Sequence, residues 1–182
     1  MKEKKIYLIR HCQAKGQEPS AGLTNVGREK ALELVPILEK FNIDHIISSP
    51  YKRAVQTIKP FSESKRIPII IDDNLQERVL SADSMEDWLE KLERTFLERD
   101  LTFSGGESSI QALTRIREVV DEVFENQQMR NVAIVSHGNI LSLLINHYET
   151  TFGFAQWQQM KNPDIFVLEK VNDIIHIKRI GQ

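Results

Sequence analysis

Short apolar runs that alternate with amphipathic segments constrain the fold of this chain more than any other feature. Four strand-like runs occur along most of its length: Lys5–Arg10, 44–49, 68–71 and Asn131–Ser136. Near-continuous apolar runs of this kind are typical of parallel strands that helices cover on both faces. Two more runs, 164–171 and 174–180, flank the plausible hairpin turn Asn172-Asp173. The sequence therefore predicts an α/β fold with three layers (α/β/α), a mainly parallel central sheet and an antiparallel C-terminal hairpin at its edge.

Helices are predicted where apolar residues recur at helical spacing between these runs. The first begins near Asn25 with Thr24 as its cap, and Pro36 is expected to kink or shorten it. Further helices are predicted after Pro50, from Met85 to Phe96, over 110–123 and over 140–148. Together these elements predict a single domain over residues 1–182, with a helical insertion around 80–104.

Composition and charge narrow the classes of function. A chain of 182 residues can bury roughly 70% of its unfolded surface, so its stability requires neither a disulfide nor a metal. There are 24 basic and 26 acidic residues, a formal net charge of −2, and no nucleic-acid partner is expected. The apolar runs fall far short of the ~18 residues of a membrane span, and the N-terminal run is too short for a signal peptide. The single cysteine, Cys12, fits a reducing compartment, so a cytoplasmic protein without a membrane partner is expected.

Reactive polar residues directly follow three of the predicted strands. The first strand ends in Arg10-His11-Cys12, the second leads through Ser48-Ser49-Pro50 to Arg53, and the fourth ends in Ser136-His137-Gly138. In parallel α/β sheets, ligands bind outside the carboxyl ends of the strands. The two arginines and the two histidines are therefore expected to converge on one crevice.

Two guanidiniums and two imidazoles in one crevice favour an anionic ligand, and a phosphoryl group matches the fork of an arginine. The helix N-termini that follow Pro50 and Gly138 are expected to add backbone donors. Glu77 follows the third strand, where a carboxyl group can protonate a leaving oxygen and then accept a proton from water. Acid–base assistance of this kind typically contributes about 10²–10⁴ in rate.

Several segments, in family order, resemble those of the histidine phosphatase superfamily, also called the phosphoglycerate-mutase-like group. They are Ile9-Arg10-His11, L-T-x-x-G at 23–27, SSPYKRAVQT at 48–57, L-x-E at 75–77, GGES at 105–108 and VSHGN at 135–139. The matches cover most of the chain, from Ile6 to about Asn139. Each is weak alone, whereas the set in register is highly specific.

The resemblance implies a role for each matching residue. His11 would be the nucleophile that becomes phosphorylated, and Glu77 would be the general acid and then the general base. His137 would act with them on the transition state. The phosphate-binding positions that the resemblance implies are Arg10, Arg53, His137, Gln17 and Asn139. No metal and no cofactor is implied, since the arginines and His137 carry the positive charge.

The function that these roles predict is hydrolysis of a small phosphorylated metabolite through a phosphohistidine. A phosphoglycerate mutase, which has the same catalytic residues, is the first alternative. Only 27 positions separate Glu77 from Ser104, and 45 residues follow His137, which is shorter than the enclosure expected of a mutase. The second alternative is a degenerate member that binds a phosphorylated ligand or a partner protein.

Cys12 is the main departure from the family pattern, which usually has glycine after Arg-His. A small replacement is expected to keep the loop with some strain or shift. A cysteine phosphatase would need C-x5-R, and the residue at the arginine position is Glu18. A zinc site formed by His11, Cys12 and His137 is disfavoured, because adjacent residues rarely face one metal.

The sequence leaves the substrate and the oligomeric state open. Lys15, Arg78 and Trp88 are possible specificity contacts, without a ranking among them. The apolar stripe within 84–98 fits helix packing and also fits a cap over the pocket.

Overall fold

A computed structural model describes residues 4–181 and contains one six-stranded sheet. Its strands are β1 (Lys5–Arg10), β2 (His45–Ser48), β3 (Ile69–Ile71), β4 (Asn131–Ser136), β5 (Asp164–Val171) and β6 (Ile174–Ile180). They lie in the order β3-β2-β4-β1-β5-β6. The contacts β3-β2, β2-β4 and β4-β1 are parallel, whereas β5 is antiparallel to both β1 and β6. The predicted parallel sheet with an antiparallel edge hairpin is confirmed.

Helices connect the strands and cover both faces of the sheet. In the described part of the chain they are α1 (Asn25–Glu39), α2 (Lys52–Lys65), α3 (Trp88–Leu97), α4 (Ser109–Glu125), α5 (Gly138–Tyr148) and α6 (Phe154–Gln158). A 3₁₀ turn, Asp73–Leu75, follows β3. The predicted cap of α1 is present, since the Thr24 hydroxyl accepts a hydrogen bond from the Gly27 amide at 2.9 Å.

Alternate residues of the central strands contribute to two cores, one on each face. In β1, Ile6 and Leu8 pack with the buried faces of α4 and α5, whereas Tyr7 and Ile9 pack with those of α1 and α2. Each fully buried side chain of this size stabilises the fold by about 1.5–3 kcal/mol. The two cores fix the central strands, and therefore the positions at which these strands end.

Two local expectations differ from the structure, and one short helix was not expected. Helix α1 continues through Pro36 to Glu39 and is therefore not shortened there, although proline lacks the amide that would donate to the Leu32 carbonyl. Helix α3 begins at Trp88 rather than at Met85, and α6 was not predicted. The hairpin turn is as expected: Asn172 and Asp173 have φ values of 49° and 63°, which suits the residue types that tolerate this region.

Candidate active site

The carboxyl ends of β2, β4 and β1 lie side by side and bring the predicted residues together. Beyond the paired ends of β1 and β4, the His11 amide donates to the Ser136 carbonyl at 3.1 Å, which extends the ladder by one residue. The Ser49 amide donates to the Val135 carbonyl at 2.9 Å and does the same for β2. Hydrogen bonds that continue the sheet therefore fix the backbone of His11, the candidate nucleophile, and of Ser49, which begins the loop after β2.

His11 is buried with one ring nitrogen engaged by the backbone. Its Nδ1 lies 2.7 Å from the carbonyl oxygen of Cys12, and because a carbonyl can only accept, Nδ1 carries the proton. Nε2 is then the basic nitrogen. Burial, opposed by the hydrogen bond to the Cys12 carbonyl and aided by the charges of Arg53 and Arg10, lowers the pKa of His11 to about 4.

Arg53, in the first turn of α2, connects His11 to the preceding loop. Its Nε donates to His11 Nε2 at 3.2 Å, and its Nη1 donates to the carbonyls of Gln17 and Glu18 at 3.0 and 2.9 Å. Only 1% of its surface is exposed, and its guanidinium lies 4.9 Å from the ring centroid of Tyr51. Burial lowers the pKa of Arg53, and Glu77 opposes that shift.

Arg10, the last residue of β1, packs against the start of α5. Its Nη1 donates to the Met160 carbonyl at 2.8 Å, while its Nε is buried with no partner among residues 4–181. A Cβ at Gly138 would lie 2.8–3.0 Å from three guanidinium atoms of Arg10. Glycine at this position therefore leaves the space in which Arg10 lies.

His137 lies fully buried between two aromatic rings. Its ring centroid is 5.1 Å from that of His11 and 4.8 Å from that of Tyr51. Its Nε2 is 2.7 Å from the Ser49 hydroxyl, and within the described residues its Nδ1 has no hydrogen-bond partner. Burial, followed by the nearby positive groups, holds the pKa of His137 well below its usual value. Both site histidines are therefore neutral near neutral pH.

Glu77 lies at the N-terminus of α5. Its carboxylate accepts hydrogen bonds from the amides of Asn139 (3.1 Å), Ile140 (2.9 Å) and Arg78 (2.8 Å). Two of the amides at the N-terminus of α5, those of Asn139 and Ile140, therefore bind Glu77. At the start of α2, the Lys52 amide likewise donates to the carbonyl of Pro19.

Asn139 and Gln17 are placed differently. The Asn139 side chain is buried, and neither its oxygen nor its nitrogen has a partner among residues 4–181. The Gln17 side chain is exposed, and the main-chain carbonyl of Gln17 accepts a hydrogen bond from Arg53. Asn139 contacts Glu77 through its backbone amide, and Gln17 contacts Arg53 through its backbone carbonyl.

A segment before β5 contacts the site, and sequence reasoning missed it. The Asn162 side-chain amide donates to the His11 carbonyl at 2.8 Å, and Met160 accepts from Arg10. Asp164, at the start of β5, forms an ion pair with Arg179 and accepts from the Lys161 amide at 2.9 Å. The run N-P-D directly before a strand is the local signal that could have identified this anchor.

The Cys12 thiol belongs to the core. It is fully buried among apolar residues of the α1–α2 face, and burial raises its pKa to about 11. Its amide donates to the Thr57 hydroxyl at 2.9 Å. Cys12 is absent from the non-glycine residues with positive φ, so this backbone needs no glycine, and the expected strain is not found.

Arg78 is buried and points away from solvent. Its Nη1 donates to Thr95 of α3 and Ser109 of α4, and its Nε and Nη2 donate to the Glu107 carbonyl. Burial lowers its pKa to about 10. The suggestion that Arg78 contacts the substrate is therefore replaced by a structural role next to Glu77.

Two further features of the described residues concern metal binding and membrane spanning. Within 4–181, no group of three or more His, Cys, Asp or Glu side chains is arranged to hold a metal ion. In the same range, no helix combines the length and the apolar character needed to cross a bilayer.

Comparison with known proteins decides the family. Residues 6–181 match the family model described as histidine phosphatase superfamily (branch 1). The chain belongs to the histidine phosphatase superfamily. This confirms the resemblance found from the motifs, and the expectations of an α/β fold and of a phosphatase enzyme agree with it.

Relatives of this histidine phosphatase carry two kinds of name. Phosphoserine phosphatase 1 of Hydrogenobacter thermophilus is 27% identical over 148 residues, which cover 73% of this chain and 70% of the relative. A probable phosphoglycerate mutase, GpmB, of Escherichia fergusonii is 25% identical over 172 residues, covering 86% and 78%. Both the leading function and its first alternative therefore occur among its relatives.

Solved structures share its fold. Bacillus stearothermophilus YhfR superposes with a TM-score of 0.79 at 22% identity, over 98% of this chain and 96% of that one. The native mycobacterial glucosyl-3-phosphoglycerate phosphatase Rv2419c gives a TM-score of 0.76 at 22% identity, over 98% of each chain. These likenesses support the architecture of this histidine phosphatase.

Proposed function

We propose that this histidine phosphatase hydrolyses small phosphomonoesters through a phosphohistidine formed on His11. The observation that carries the proposal is the hydrogen bond of His11 Nδ1 to the Cys12 carbonyl, which leaves Nε2 basic beside Arg53. A neutral imidazole with a fixed ring can attack phosphorus once Arg53 Nε, which donates to Nε2 at 3.2 Å, turns to the incoming phosphoryl group and releases the lone pair.

In the first step, the lone pair of His11 Nε2 forms a bond to phosphorus while the bond from phosphorus to the leaving oxygen breaks. Glu77 in its protonated form gives its proton to that oxygen, so the product leaves as an alcohol. Arg10, Arg53 and His137 stabilise the charge on the transferring group, since hydrogen bonds to charged groups are worth ~1.5–3 kcal/mol each.

In the second step, water attacks phosphorus, the bond from phosphorus to Nε2 breaks, and its electron pair returns to the imidazole. Glu77, now a carboxylate, takes the proton from the water. His137 donates through Nδ1 to the phosphoryl group, with the Ser49 hydroxyl donating to its Nε2. Asn139 contributes its buried amide, and Gln17 a weaker contact from the exposed loop.

The proposal extends to the surroundings of the site. Residues 1–182 act as one domain, and the insertion around 80–104, including 84–98, covers the site beside Glu77. The hydrogen bond from Arg78 to Thr95 of α3 supports that placement, because it joins the residue next to Glu77 to the insertion. The substrate is a small phosphorylated metabolite, and a cytoplasmic location is proposed on the ground of the single, buried cysteine.

A product assay tests hydrolysis against mutase chemistry. The protein is incubated with 3-phosphoglycerate and a bisphosphoglycerate primer, and separately with a panel of phosphorylated metabolites. Inorganic phosphate is expected as the product, with no isomer, because only 27 positions separate Glu77 from Ser104 to form an enclosure against water. Accumulation of isomer without phosphate would reverse the assignment in favour of the mutase.

The low pKa of His11 gives a second test. Because burial lowers that pKa to about 4, the imidazole of the free enzyme stays unprotonated down to about that pH. The acid limb of kcat/KM caused by His11 is therefore expected near pH 4, and NMR titration of its ring should show the same midpoint. A midpoint near 6.5, the ordinary value for histidine, would contradict the burial of the nucleophile.

A further inference from the structure

The segment that carries Glu77 (residues 74–79, here the acid segment) is contacted at three carbonyls by one guanidinium of α4. Arg115 Nη1 donates to the carbonyls of Asn74 and Gln76 at 2.7 and 2.8 Å, and its Nη2 lies 3.4 Å from the Glu77 carbonyl. Residues 76–78 lie outside helices and strands. Since three contacts from one side chain hold this segment, the backbone position of Glu77 depends on Arg115.

Glu107 fixes Arg115 in turn. Its carboxylate accepts hydrogen bonds from Arg115 Nε at 2.9 Å and from Nη2 at 3.1 Å. This bidentate pairing sets the plane of the guanidinium. The side chains of Arg115 and Glu107 are only 20% and 23% exposed, so solvent screens the pair weakly.

The backbone of Glu107 also holds the segment on the other side of Glu77. Its amide donates to the Val79 carbonyl at 2.9 Å, and its carbonyl accepts from Arg78 Nη2 at 3.1 Å. The acid segment is thus anchored to α4 and its N-terminal loop on both sides of Glu77, and both anchors include Glu107.

We infer that Arg115, oriented by Glu107, is a positioning residue for the general acid Glu77: it fixes the backbone of Glu77, while the amides of Asn139 and Ile140 hold the carboxylate. The inference rests on the proposed function of Glu77. Proton transfer requires the carboxyl group to be held within about 0.5 Å of its productive place, and a segment without regular structure does not provide that precision alone. Loss of Arg115 therefore slows protonation of the leaving oxygen more than it slows attack by His11.

Leaving groups of different basicity separate this role from a general structural one. An alkoxide or phenolate needs a proton as it departs, whereas dinitrophenolate leaves without one. A positioning role for Glu77 predicts a loss that depends on the leaving group, and a loosened fold predicts equal losses for all substrates.

The experiment measures kcat/KM for an alkyl phosphate, phenyl phosphate and dinitrophenyl phosphate. Arg115→Gln is expected to lower kcat/KM for the alkyl and phenyl phosphates by about 10²-fold, which is the lower end of acid-catalytic effects. For dinitrophenyl phosphate the expected loss is less than about 3-fold, because its leaving group needs no proton. Arg115→Lys keeps the charge that Arg115 exerts on His137 but cannot reach three carbonyls, so an intermediate, leaving-group-dependent loss is expected. Arg117→Gln is the matched control, because Arg117 lies on the same helix and pairs with Asp121.

Equal losses on all three substrates, or no loss with Arg115→Gln, would overturn the inference. If that variant does not fold, Arg115→Lys and Glu107→Gln must show the same dependence on the leaving group, and its absence has the same meaning. Glu77→Gln is measured in parallel. If it lacks this dependence, the proposed role of Glu77 fails and the inference with it; if it shows the dependence while Arg115 variants do not, only the inference fails.

Discussion

Replacement of His11 by alanine is expected to lower kcat by about 10⁴-fold or more, the scale on which loss of a nucleophile acts. The variant has no atom in place of Nε2 to form the bond to phosphorus, and neither Arg53 nor His137 can replace it, because Arg53 remains protonated and His137 is fully buried. Brief incubation of the parent protein with labelled substrate should trap an acid-labile, base-stable phosphoprotein. The label should be absent from His11→Ala.

His176→Ala is the matched control, since this histidine is exposed on β6 at the edge of the sheet. It should retain both turnover and label. Thermal unfolding of both variants shows whether the loss of turnover comes from the missing nucleophile or from a destabilised fold, because His11 also hydrogen-bonds to the Cys12 carbonyl. Normal turnover in folded His11→Ala would eliminate the phosphohistidine mechanism.

The convergence of the site could be predicted because it depends on sheet topology. The apolar runs identified the strands, and parallel strands must end on the same side, so Arg10, His11 and His137 were expected together. The structure places β4 beside both β1 and β2, and the rings of His11 and His137 are 5.1 Å apart.

The support of the site could not be predicted in the same way. Arg115 reaches carbonyls about 40 positions earlier in the chain, and Asn162 reaches the His11 carbonyl from 151 positions away. Such contacts depend on how α4 and the start of β5 lie against the loops, which no local pattern records. Backbone carbonyls are also common to all residues, so no residue type in the sequence marks them as partners of Arg115.

Cys12 illustrates a departure that only packing explains. In the sequence it replaces a family glycine beside the nucleophile, which suggested strain. In the structure its thiol lies in the α1–α2 core and its amide bonds to Thr57, while only its carbonyl faces His11. The site uses only the backbone carbonyl of Cys12. Cysteine can place this carbonyl as glycine would, because φ at this residue is not in the positive region that favours glycine.

Replacement of Arg53 by lysine is expected to lower kcat/KM by about 10³-fold although the charge is kept. The guanidinium donates at once to His11 Nε2 and to the carbonyls of Gln17 and Glu18. An ammonium group on a shorter, non-planar head cannot make these contacts together with a phosphoryl contact. Loss of about two charge-assisted bonds, at ~1.5–3 kcal/mol each, corresponds to about 10²–10⁴ in rate.

Steady-state kinetics and vanadate inhibition measure this effect, since vanadate resembles the transferring phosphoryl group. Both kcat/KM and the affinity for vanadate should fall in Arg53→Lys, and both should be unchanged in Lys59→Gln, an exposed residue on the same helix. Because the Gln17 and Glu18 carbonyls lose their donor, limited proteolysis should also become faster in the 15–22 loop. Retention of full activity with a cleavable loop would separate the two functions of Arg53 and would assign it to the loop alone.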